Sequence, residues 1–593
     1  MAPTFRPITT EFGHSCPPES PHTVTFHVPG WDTVIRFRDG DKSIFAKLRS
    51  LYPRFSPFGP ARELAAALGE KLGAVAGKTG LLMFLDPATF SAHEVYGLSD
   101  HRKENKLVQG DLTYKIVDIH GVRLYCVIYP LAKTPGIVGI WQNTGTGLST
   151  RASEELVKYI DSEFAAVQWS GDFNNIPPPT YLPECEAHGA LRQRIRDLLH
   201  RAPIVPEKVK VREDDVYLYH TGMAAIYRAN KALIRRDPGT ILVLGSVFHN
   251  TWHLFEEAPG GLKHFGACDA ASGVMDELEV WIGAHYDEGK TISYAFLEFP
   301  SNPIVVSIDL KRLRQIANKY SFPLFIDDTI GSFANIDVLP VSDLLISSLT
   351  KSFSGYADVM GGSVVLNPLS AFYTQLKPLF TSAFRNELFA GDAETLLANS
   401  ADYLPRSLIL NRNGTALSSY LSSQMADPEC PIKAVLYPTT CDTKANYDAF
   451  LRPSTPEFTP GYGCLLSVDF HTLDAAKAFY DDFPAHNGPH LGGHRMLAVP
   501  FNTLVHGKAA EDAAYHASYG ATPEQVRISV GLEEEDEVLA AARVALEAAS
   551  RSHNGGGRAQ GKDVEEALKG ETEPAKSKAD VQIAAEVTSA NFE

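Results

Sequence analysis

The sequence has no apolar run long enough to cross a membrane and no apolar signal-peptide core near residue 1. We therefore expect a soluble, cytoplasmic protein without a membrane partner. The chain has 593 residues, of which 44% are hydrophobic, and this is enough for two or more domains with sizeable cores.

Cysteine is scarce and scattered, since seven cysteines stand at positions 16, 126, 185, 268, 430, 441 and 464. An odd number without paired spacing argues against a disulfide scaffold and a zinc site, so we expect a reducing compartment and no bound metal. Basic residues are in the minority. The net charge of −17 disfavours a nucleic acid or an anionic membrane as a partner.

One glycine-rich stretch lacks the residues that would make it a nucleotide site. WQNTGTGLSTR (Trp141–Arg151) does not end in the Gly-Lys-Ser/Thr of a P-loop. The stretch is interpreted instead as a turn that leads into a helix from about Ala152 to Ala165.

An unusual lysine is present in VSDLLISSLTKSFSGYADVMGGSVVL, residues 341–366. A buried apolar run, Leu344–Ile346, meets small hydroxyl residues and then Lys351, with a glycine pair behind it. A solvated ammonium is hard to keep at the end of a core strand, whereas a covalent bond to a carbonyl cofactor removes the buried charge. The alternative is an exposed lysine after a strand, as is usual for lysine.

Two other strand ends carry groups that suit the same kind of cofactor. PLFIDDTIGSF reaches Asp327, an acid of the type that keeps a pyridine nitrogen protonated. Val216–Arg236 is a strand that breaks at Thr221 into a helix, whose first amides can bind phosphate. Thr221 alone is equally consistent with a simple helix N-cap. Together with Lys351, these are the three contacts that pyridoxal 5′-phosphate requires.

Helix and strand patterns alternate between Glu186 and Asp327. This alternation predicts an α/β fold whose mostly parallel sheet has helices on both faces and binds ligands beyond the carboxyl ends of its strands. From about Pro431 the pattern suits a small α+β domain. We predict an N-terminal extension (1–150), a large cofactor-binding domain (151–430), a small C-terminal domain (431–550) and a polar, disordered tail (551–593).

Several motifs, in order along the chain, resemble one enzyme family. They are PPESPHTVTFHVPGWDTVIRF, YPRF, HTGMAAIYRA, LEFPSNPIVVSIDLKRLRQIANKYSFPLFIDDTIGSF, SSLTKSFSGYADVMGG and VRISVGLEEEDEVL. The chain resembles the Cys/Met-metabolism family of pyridoxal-phosphate enzymes, most closely the fungal cystathionine γ-synthases. The resemblance implies the fold-type-I (aspartate aminotransferase-like) architecture, a fungal-type N-terminal extension, pyridoxal 5′-phosphate as cofactor and a homodimer or homotetramer.

The resemblance also assigns the residues that hold the cofactor. They are Thr221, Gly222, Met223, Phe248, Asn302, Asp327, Thr329, Ser348, Thr350 and Lys351. Alternation of strand faces puts Asp327 and Asp328 on opposite sides of the sheet, and the family's Asp-x-Thr pattern selects Asp327 with Thr329. Asn302 matches the residue that contacts the cofactor ring oxygen, and otherwise an Asn before Pro marks a turn.

The family's ring-stacking tyrosine is replaced here. In VFHNTWHLF the matching residue is Phe248, whose ring can stack but cannot relay a proton. His249 is a candidate for that acid/base function near neutral pH, and otherwise a surface histidine. The predicted catalytic residues are therefore Lys351, Phe248 and His249.

Two residues are assigned to the substrate. Arg527 lies on an apolar strand, where it binds either a substrate α-carboxylate or a structural salt-bridge partner. His490 stands where most members have a serine before Leu-Gly-Gly. In most members a Tyr-x-Arg element grips the cofactor phosphate of the neighbouring subunit, but the matching stretch, Ser162–Gln168, has no arginine.

The function implied by the resemblance is a γ-substitution on an O-acyl-L-homoserine, a small amino-acid substrate. The nucleophile is cysteine, as in cystathionine γ-synthase, or another one, including a carbon nucleophile of a fungal biosynthetic pathway. A γ- or β-lyase of the same family would share every cofactor residue. A non-catalytic regulatory homologue is the alternative from another class, and the intact Lys351, Asp327 and Arg527 argue against it.

Overall fold

The computed structural model describes residues 10–269 and 271–555. Its N-terminal part combines six α-helices with a four-stranded antiparallel sheet in the order β1-β3-β2-β4. The elements are α1 (Trp31–Arg38), α2 (Lys42–Phe45), α3 (Pro60–Leu72), β1 (Thr79–Phe84), α4 (Ala88–Gly97), β2 (Thr113–Ile119), β3 (Val122–Pro130), α5 (Pro135–Thr144), α6 (Thr150–Val157) and β4 (Phe164–Val167).

Local sequence explains these boundaries. Helix α3 begins at Pro60, whose missing N–H is not needed there, and ends at Gly73 with φ 77°. Strands β2 and β3 are joined through His120 and Gly121, both with positive φ, as a tight hairpin requires.

The predicted boundary at residue 150 is wrong, because α6 and β4 belong to the same unit as β1–β3. The helix predicted from Ala152 to Ala165 ends at Val157, and the chain then enters β4 as an edge strand. Most of residues 10–58 lie outside this unit, although Pro53, Arg54 and Phe55 contact its helix α5. They pack on the C-terminal domain, as shown below.

The large domain is built on a seven-stranded sheet in the order β5-β11-β10-β9-β8-β6-β7. Only β11 runs against the other strands, so the predicted mostly parallel sheet is confirmed. The elements are α7 (Glu186–His200), β5 (Val216–Tyr219), α8 (Gly222–Arg236), β6 (Thr240–Leu244), α9 (His249–Glu256), β7 (Leu262–Phe265), α10 (Val274–Asp287), β8 (Ile292–Glu298), α11 (Leu310–Tyr320), β9 (Leu324–Asp327), α12 (Ser332–Asn335), β10 (Leu344–Ser347), β11 (Gly362–Leu366), α13 (Tyr373–Ala383), α14 (Ala390–Asn399) and α15 (Tyr403–Gln424).

The C-terminal domain has a five-stranded sheet in the order β12-β13-β16-β15-β14, with α17 and α20 packed together beside it. The elements are β12 (Ile432–Leu436), α16 (Lys444–Asp448), β13 (Leu465–Phe470), α17 (Leu473–Asp482), β14 (His486–Asn487), β15 (Leu497–Val499), α18 (Phe501–His506), α19 (Ala510–Ala517), β16 (Gln525–Ser529) and α20 (Glu535–His553). Since α20 ends at His553, the predicted tail begins too early, and residues 556–593 lie outside the described residues.

The N-terminal segment, defined here as residues 10–58, is part of the core of this C-terminal domain. Phe26, Trp31 and Phe37 are at most 1% exposed and belong to the same apolar cluster as Val468 and Ile528. Burying such a side chain contributes about 1.5–3 kcal/mol. The segment is therefore held as firmly as an internal element of the domain.

No helix in the described part of the chain combines the length and the apolarity that crossing a bilayer requires.

Candidate active site

One cavity gathers most of the predicted site residues at the carboxyl ends of β5, β8, β9 and β10. Its volume is about 110 Å³. The predicted residues that line it are Thr221, Gly222, Met223, Phe248, His249, Asn302, Asp327, Thr329, Ser348, Lys351 and Arg527. Thr350 and His490 are the two predicted residues that do not line it.

Lys351 follows the end of β10 by a short turn and presents its amine to the cavity. The Nζ atom lies 3.4 Å from Nδ1 of His490 and 5.0 Å from the ring centre of Tyr52. Burial, with a smaller effect of the Arg527 charge, lowers the pKa of this amine to about 7. Lys351 is only partly exposed and lines the cavity, which disfavours the alternative of an ordinary exposed lysine. A pKa of about 7 leaves part of the amine neutral and nucleophilic near pH 7.

His490 is placed against this lysine. The ring is 1% exposed, and its Nε2 has no hydrogen-bond partner among the described residues. Burial, then the charges of Lys351 and Arg527, lower the pKa of His490 well below its ordinary value. A neutral ring accepts a hydrogen bond at Nδ1, so His490 orients the amine of Lys351. His490 was predicted to bind the substrate, but it does not line the cavity.

The start of α8 forms the end of the cavity that suits a phosphate. Thr221 caps the helix, because its hydroxyl accepts from the amide of Ala224 at 2.9 Å and donates to the carbonyl of Gly145 at 2.8 Å. A Cβ atom at Gly222 would lie 2.9 Å from the hydroxyl of Ser348, so only glycine fits there. The N-cap interpretation of Thr221 is confirmed, and its hydroxyl is already used. The amides of the first turn and the Ser348 hydroxyl remain for an anion.

Arg54 lines the same cavity and was not predicted. It is 7% exposed, its Nε has no described partner, and its Nη2 donates to the carbonyl of Gln142 at 3.2 Å. Burial lowers its pKa to about 10 without any described carboxylate partner. A buried guanidinium without a counter-ion, in a cavity that also contains the start of α8, fits the phosphate of pyridoxal phosphate.

The family's Tyr-x-Arg element was sought at Ser162–Gln168, but Tyr52 and Arg54 are the residues that line the cavity. The stretch Ser162–Gln168 lies in β4 and its approach, and none of its residues lines the cavity. The residues that do are the tyrosine and the arginine of YPRF, which is itself a Tyr-x-Arg sequence. A Tyr-x-Arg sequence is therefore present in the chain, but it lies far before the stretch in which it was sought.

Thr350 does not reach the cavity. Its hydroxyl donates to the carbonyl of Gly361 at 3.2 Å and accepts from the amide of Gly361 at 3.0 Å. The side chain closes the turn that carries Lys351, so its predicted contact with the phosphate has no support in the geometry.

Two carboxyl groups lie side by side at the sheet edge. Asp327 and Glu298 are partners in the register of β9 and β8, and both line the cavity. Burial raises the pKa of Asp327 to about 6, against lowering hydrogen bonds from Thr329. Burial and the charge of Asp327 raise the pKa of Glu298 well above its usual value. Glu298 thus retains its proton while Asp327 ionises. A protonated ring nitrogen requires an ionised partner of this kind.

Asp328 faces the other side of the strand, as the alternation of faces predicted. It accepts a hydrogen bond from the Ser347 hydroxyl at 2.6 Å, and burial raises its pKa to about 8. Asp327 lines the cavity and Asp328 does not. Glu298 was missed, although it is the last residue of a parallel strand, as Asp327 is.

Arg527 lies on β16 and is held by neutral groups. Its guanidinium donates to Oδ1 of Asn302 at 3.0 Å and to the carbonyl of Pro489, and it lies 4.3 Å from the ring centre of Phe501. Burial lowers its pKa to about 9. No described carboxylate forms a salt bridge with it, so the cation remains available for a substrate carboxylate.

Phe248 and His249 stand where β6 leads into α9. The Phe248 amide donates to Glu298 at 2.5 Å, which fixes the turn. His249 is 5% exposed, and neither ring nitrogen has a described partner. Burial lowers the pKa of His249 to about 3, so the ring stays neutral near pH 7. The lowered pKa argues against the expected titration near neutral pH, and the neutral ring lines the cavity.

Comparisons with known proteins found a family, curated relatives and solved structures that are similar to this chain. A family described as Cys/Met metabolism PLP-dependent enzyme matches residues 211–547. The cystathionine gamma-synthase-like enzyme iboG1 of Amanita muscaria is 31% identical, over 91% of this chain and 98% of that protein. The alanine racemase ungC of Aspergillus violaceofuscus is 28% identical, over 92% of this chain and 98% of that protein.

A solved structure shows the same fold. The cystathionine gamma synthase from Xanthomonas oryzae pv. oryzae in complex with cystathionine superposes with a TM-score of 0.50 at 20% identity, over 65% of this chain and 92% of that chain. The predicted fold class is therefore confirmed.

The lowered pKa of Lys351 predicts how the cofactor-free protein reacts with an acylating reagent. The rate of modification at Lys351 should rise between about pH 6 and 8 and then level, because only the neutral amine reacts, whereas exposed lysines titrate near pH 10.4. Peptide mass spectrometry after brief treatment with acetic anhydride measures this. The variant R527Q should move the rise to higher pH. A Lys351 profile that follows the exposed lysines would contradict the assignment.

Proposed function

Because the chain belongs to the Cys/Met metabolism family of PLP-dependent enzymes, we propose that it catalyses a γ-substitution on an O-acyl-L-homoserine. The nucleophile is cysteine or another small molecule, including a carbon nucleophile. The proposal rests on one observation, which is that Lys351, Asp327 and Arg527 line the same cavity. These are a base, an anion for the cofactor ring and a cation for the amino-acid carboxylate.

Each of the cavity residues has a separate role in such a reaction. When bound, pyridoxal phosphate supplies an electron sink for negative charge that develops next to the substrate nitrogen. Arg527 binds the α-carboxylate and fixes the amino acid. Asp327, ionised above its pKa of about 6, holds the proton on the ring nitrogen. The start of α8, Ser348 and Arg54 hold the phosphate.

Proton transfer is assigned to Lys351. A γ-substitution removes a proton from Cα and then one from Cβ before the γ-acyloxy group leaves as a carboxylate, and both carbons regain protons after the nucleophile adds. The neutral amine of Lys351, oriented by Nδ1 of His490, accepts and returns these protons. With a pKa of about 7, it exists in both protonation states at neutral pH.

Because Phe248 replaces the family's tyrosine, we expect hydrogen bonds from other cavity side chains to select the nucleophile. Phe248 brings no hydroxyl to the cavity, and His249 brings a neutral ring with one donor and one acceptor. Phe501, Leu504 and Val505 give the same cavity an apolar wall. A nucleophile with a carbon skeleton and one carbonyl or hydroxyl group suits that combination.

The substrate class is tested by incubating the cofactor-loaded enzyme with O-acetyl- and O-succinyl-L-homoserine and a panel of thiols and β-keto acids. We expect product masses that combine the four-carbon amino acid with one nucleophile, and release of acetate or succinate. The variant K351A is the matched control and should give none. Equal release of ammonia and a keto acid without a nucleophile would instead indicate a lyase. Inversion of L-alanine would indicate a racemase, as the name of the Aspergillus relative suggests.

The two adjacent aspartates allow a matched comparison. Because Asp328 has a pKa of about 8, it is mostly uncharged at pH 7, and D328N should leave turnover within a few-fold of the natural enzyme. D327N removes the anion in the cavity and should lower turnover roughly 100-fold or more. Initial rates at pH 7 measure both variants. A D327N enzyme as active as D328N would refute the role of Asp327.

A further inference from the structure

The active-site cavity is smaller than the ligands that it has to receive. Its volume is about 110 Å³, whereas sites for molecules of cofactor size measure about 300–1,000 Å³. Residues of two domains line it together, since Lys351 and Asp327 belong to the large domain and Phe501, Leu504 and Arg527 to the C-terminal domain. The cleft between the domains is therefore closed in this structure, and part of its wall has to move when pyridoxal phosphate and an amino acid enter.

One segment of the C-terminal domain crosses this cleft. Residues 505–520, named the clasp here, begin at Val505, which lines the cavity, and continue through α19. Near the far end of the clasp, the Tyr515 hydroxyl lies 2.6 Å from Nδ1 of His264, in β7 of the large domain. The clasp thus connects the two domains beside the cavity.

The hydrogen bond to His264 has a defined direction. Burial lowers the pKa of His264 to about 4, so the ring is neutral near pH 7. Its Nε2 lies 2.9 Å from the carbonyl of Gly245, which can only accept, so Nε2 carries the hydrogen and Nδ1 accepts from the Tyr515 hydroxyl. Trp252, in α9, packs edge-on against His264, with 4.7 Å between the ring centres. Strand β7 and helix α9 therefore hold His264 in the orientation that binds Tyr515.

A second contact lies at the end of the clasp. A Cβ atom added at Gly266 would lie 2.6 Å from Cγ of Tyr519, so the Tyr519 ring packs directly on the backbone that follows β7. The same ring lies 5.4 Å from that of His264. Two tyrosines of the clasp thus dock on neighbouring residues of the large domain.

The clasp is held on the large domain through these side chains. The backbone amides of Ala513 and of residues 518–521 donate to carbonyls of residues 509–517, all within the clasp. Helix α19 contributes no buried side chain to the core of its own chain. A segment with few buried contacts opens at a low free-energy cost.

The two ends of the clasp lie together, as the ends of a hinged loop do. The side-chain amide of Asn502, which precedes the clasp, donates to the carbonyl of Thr522, which follows it, at 2.8 Å. Gly520 has φ 100°, and glycine adopts a wide range of backbone angles at little cost. The loop between these ends can therefore leave the large domain while its base stays in place.

We propose that the clasp controls access to the active site. Its release from His264 and Gly266 opens the cleft to the cofactor and the amino acid, and its docking closes the cavity around them. Tyr515 is a positioning residue, since it acts through His264. The proposal concerns entry and not the reaction class, so a failure of the proposed γ-substitution would leave it standing.

Acylation of Lys351 in the cofactor-free protein measures this access. Brief treatment with acetic anhydride at pH 9, followed by peptide mass spectrometry, gives the rate at Lys351 relative to exposed lysines of the same sample. Y515F should raise that rate about 2- to 10-fold, because one hydrogen bond that holds the clasp is lost. Y286F is the matched control, since its hydroxyl donates to the carbonyl of Tyr320 at 2.8 Å within the large domain. It should leave the rate unchanged.

A reversible cross-link tests the opposite direction. The distance from Gly266 to Tyr519 suits a disulfide, whose Cβ atoms are about 3.8 Å apart. G266C/Y519C is made together with C268A, so that the nearby Cys268 cannot compete. Oxidation should lower the rate at Lys351 at least 10-fold and slow the uptake of pyridoxal phosphate, followed by its visible absorbance, to a similar extent. Reduction with dithiothreitol should restore both rates.

The single-cysteine variants G266C and Y519C, each with C268A, should not respond to oxidation. A slower rate that reduction reverses cannot arise from a folding defect, and equal unfolding temperatures of Y515F and Y286F exclude one there. Equal rates at Lys351 in the oxidised and reduced double-cysteine protein would overturn the proposal. So would a Y515F rate equal to that of Y286F, or failure of the two thiols to pair.

Discussion

Three basic side chains meet in one cavity, and the groups that can neutralise them determine what this site binds. Arg54, Lys351 and Arg527 are held there without a described carboxylate partner, and burial lowers the pKa of each. Such groups are costly unless something else compensates them. A phosphate, a carbonyl group and a carboxylate are the complements, and together they describe pyridoxal phosphate with an amino acid.

Burial also acts on the two acids of the cavity, Asp327 and Glu298, and it raises the pKa of both. Asp327 and Glu298 are neighbours in register, so they cannot both ionise cheaply, and a protonated Glu298 leaves Asp327 as the anion. The sheet produces this pairing by ending two parallel strands at the same level. The pair of acids in the cavity is therefore fixed by the sheet itself.

Residues at strand ends could be predicted from the sequence, because a parallel sheet brings the ends of its strands to one edge. Lys351, Asp327 and the start of α8 were found in this way, and the same rule would have found Glu298. Arg54 could not be found by that rule, since it lies on an irregular segment whose position depends on packing against α5 and the C-terminal domain. The roles of Thr350 and His490 also depended on partners, Gly361 and Lys351, that spacing does not reveal.

The central claim is that the amine of Lys351 carries the cofactor. Borohydride reduction of the loaded protein, followed by proteolysis and peptide mass spectrometry, tests it most directly. The account predicts a single pyridoxyl-phosphate mass addition, on the peptide that contains Lys351, with simultaneous loss of the visible absorbance. An addition on a different lysine, or no addition in protein that retains the cofactor, would contradict it.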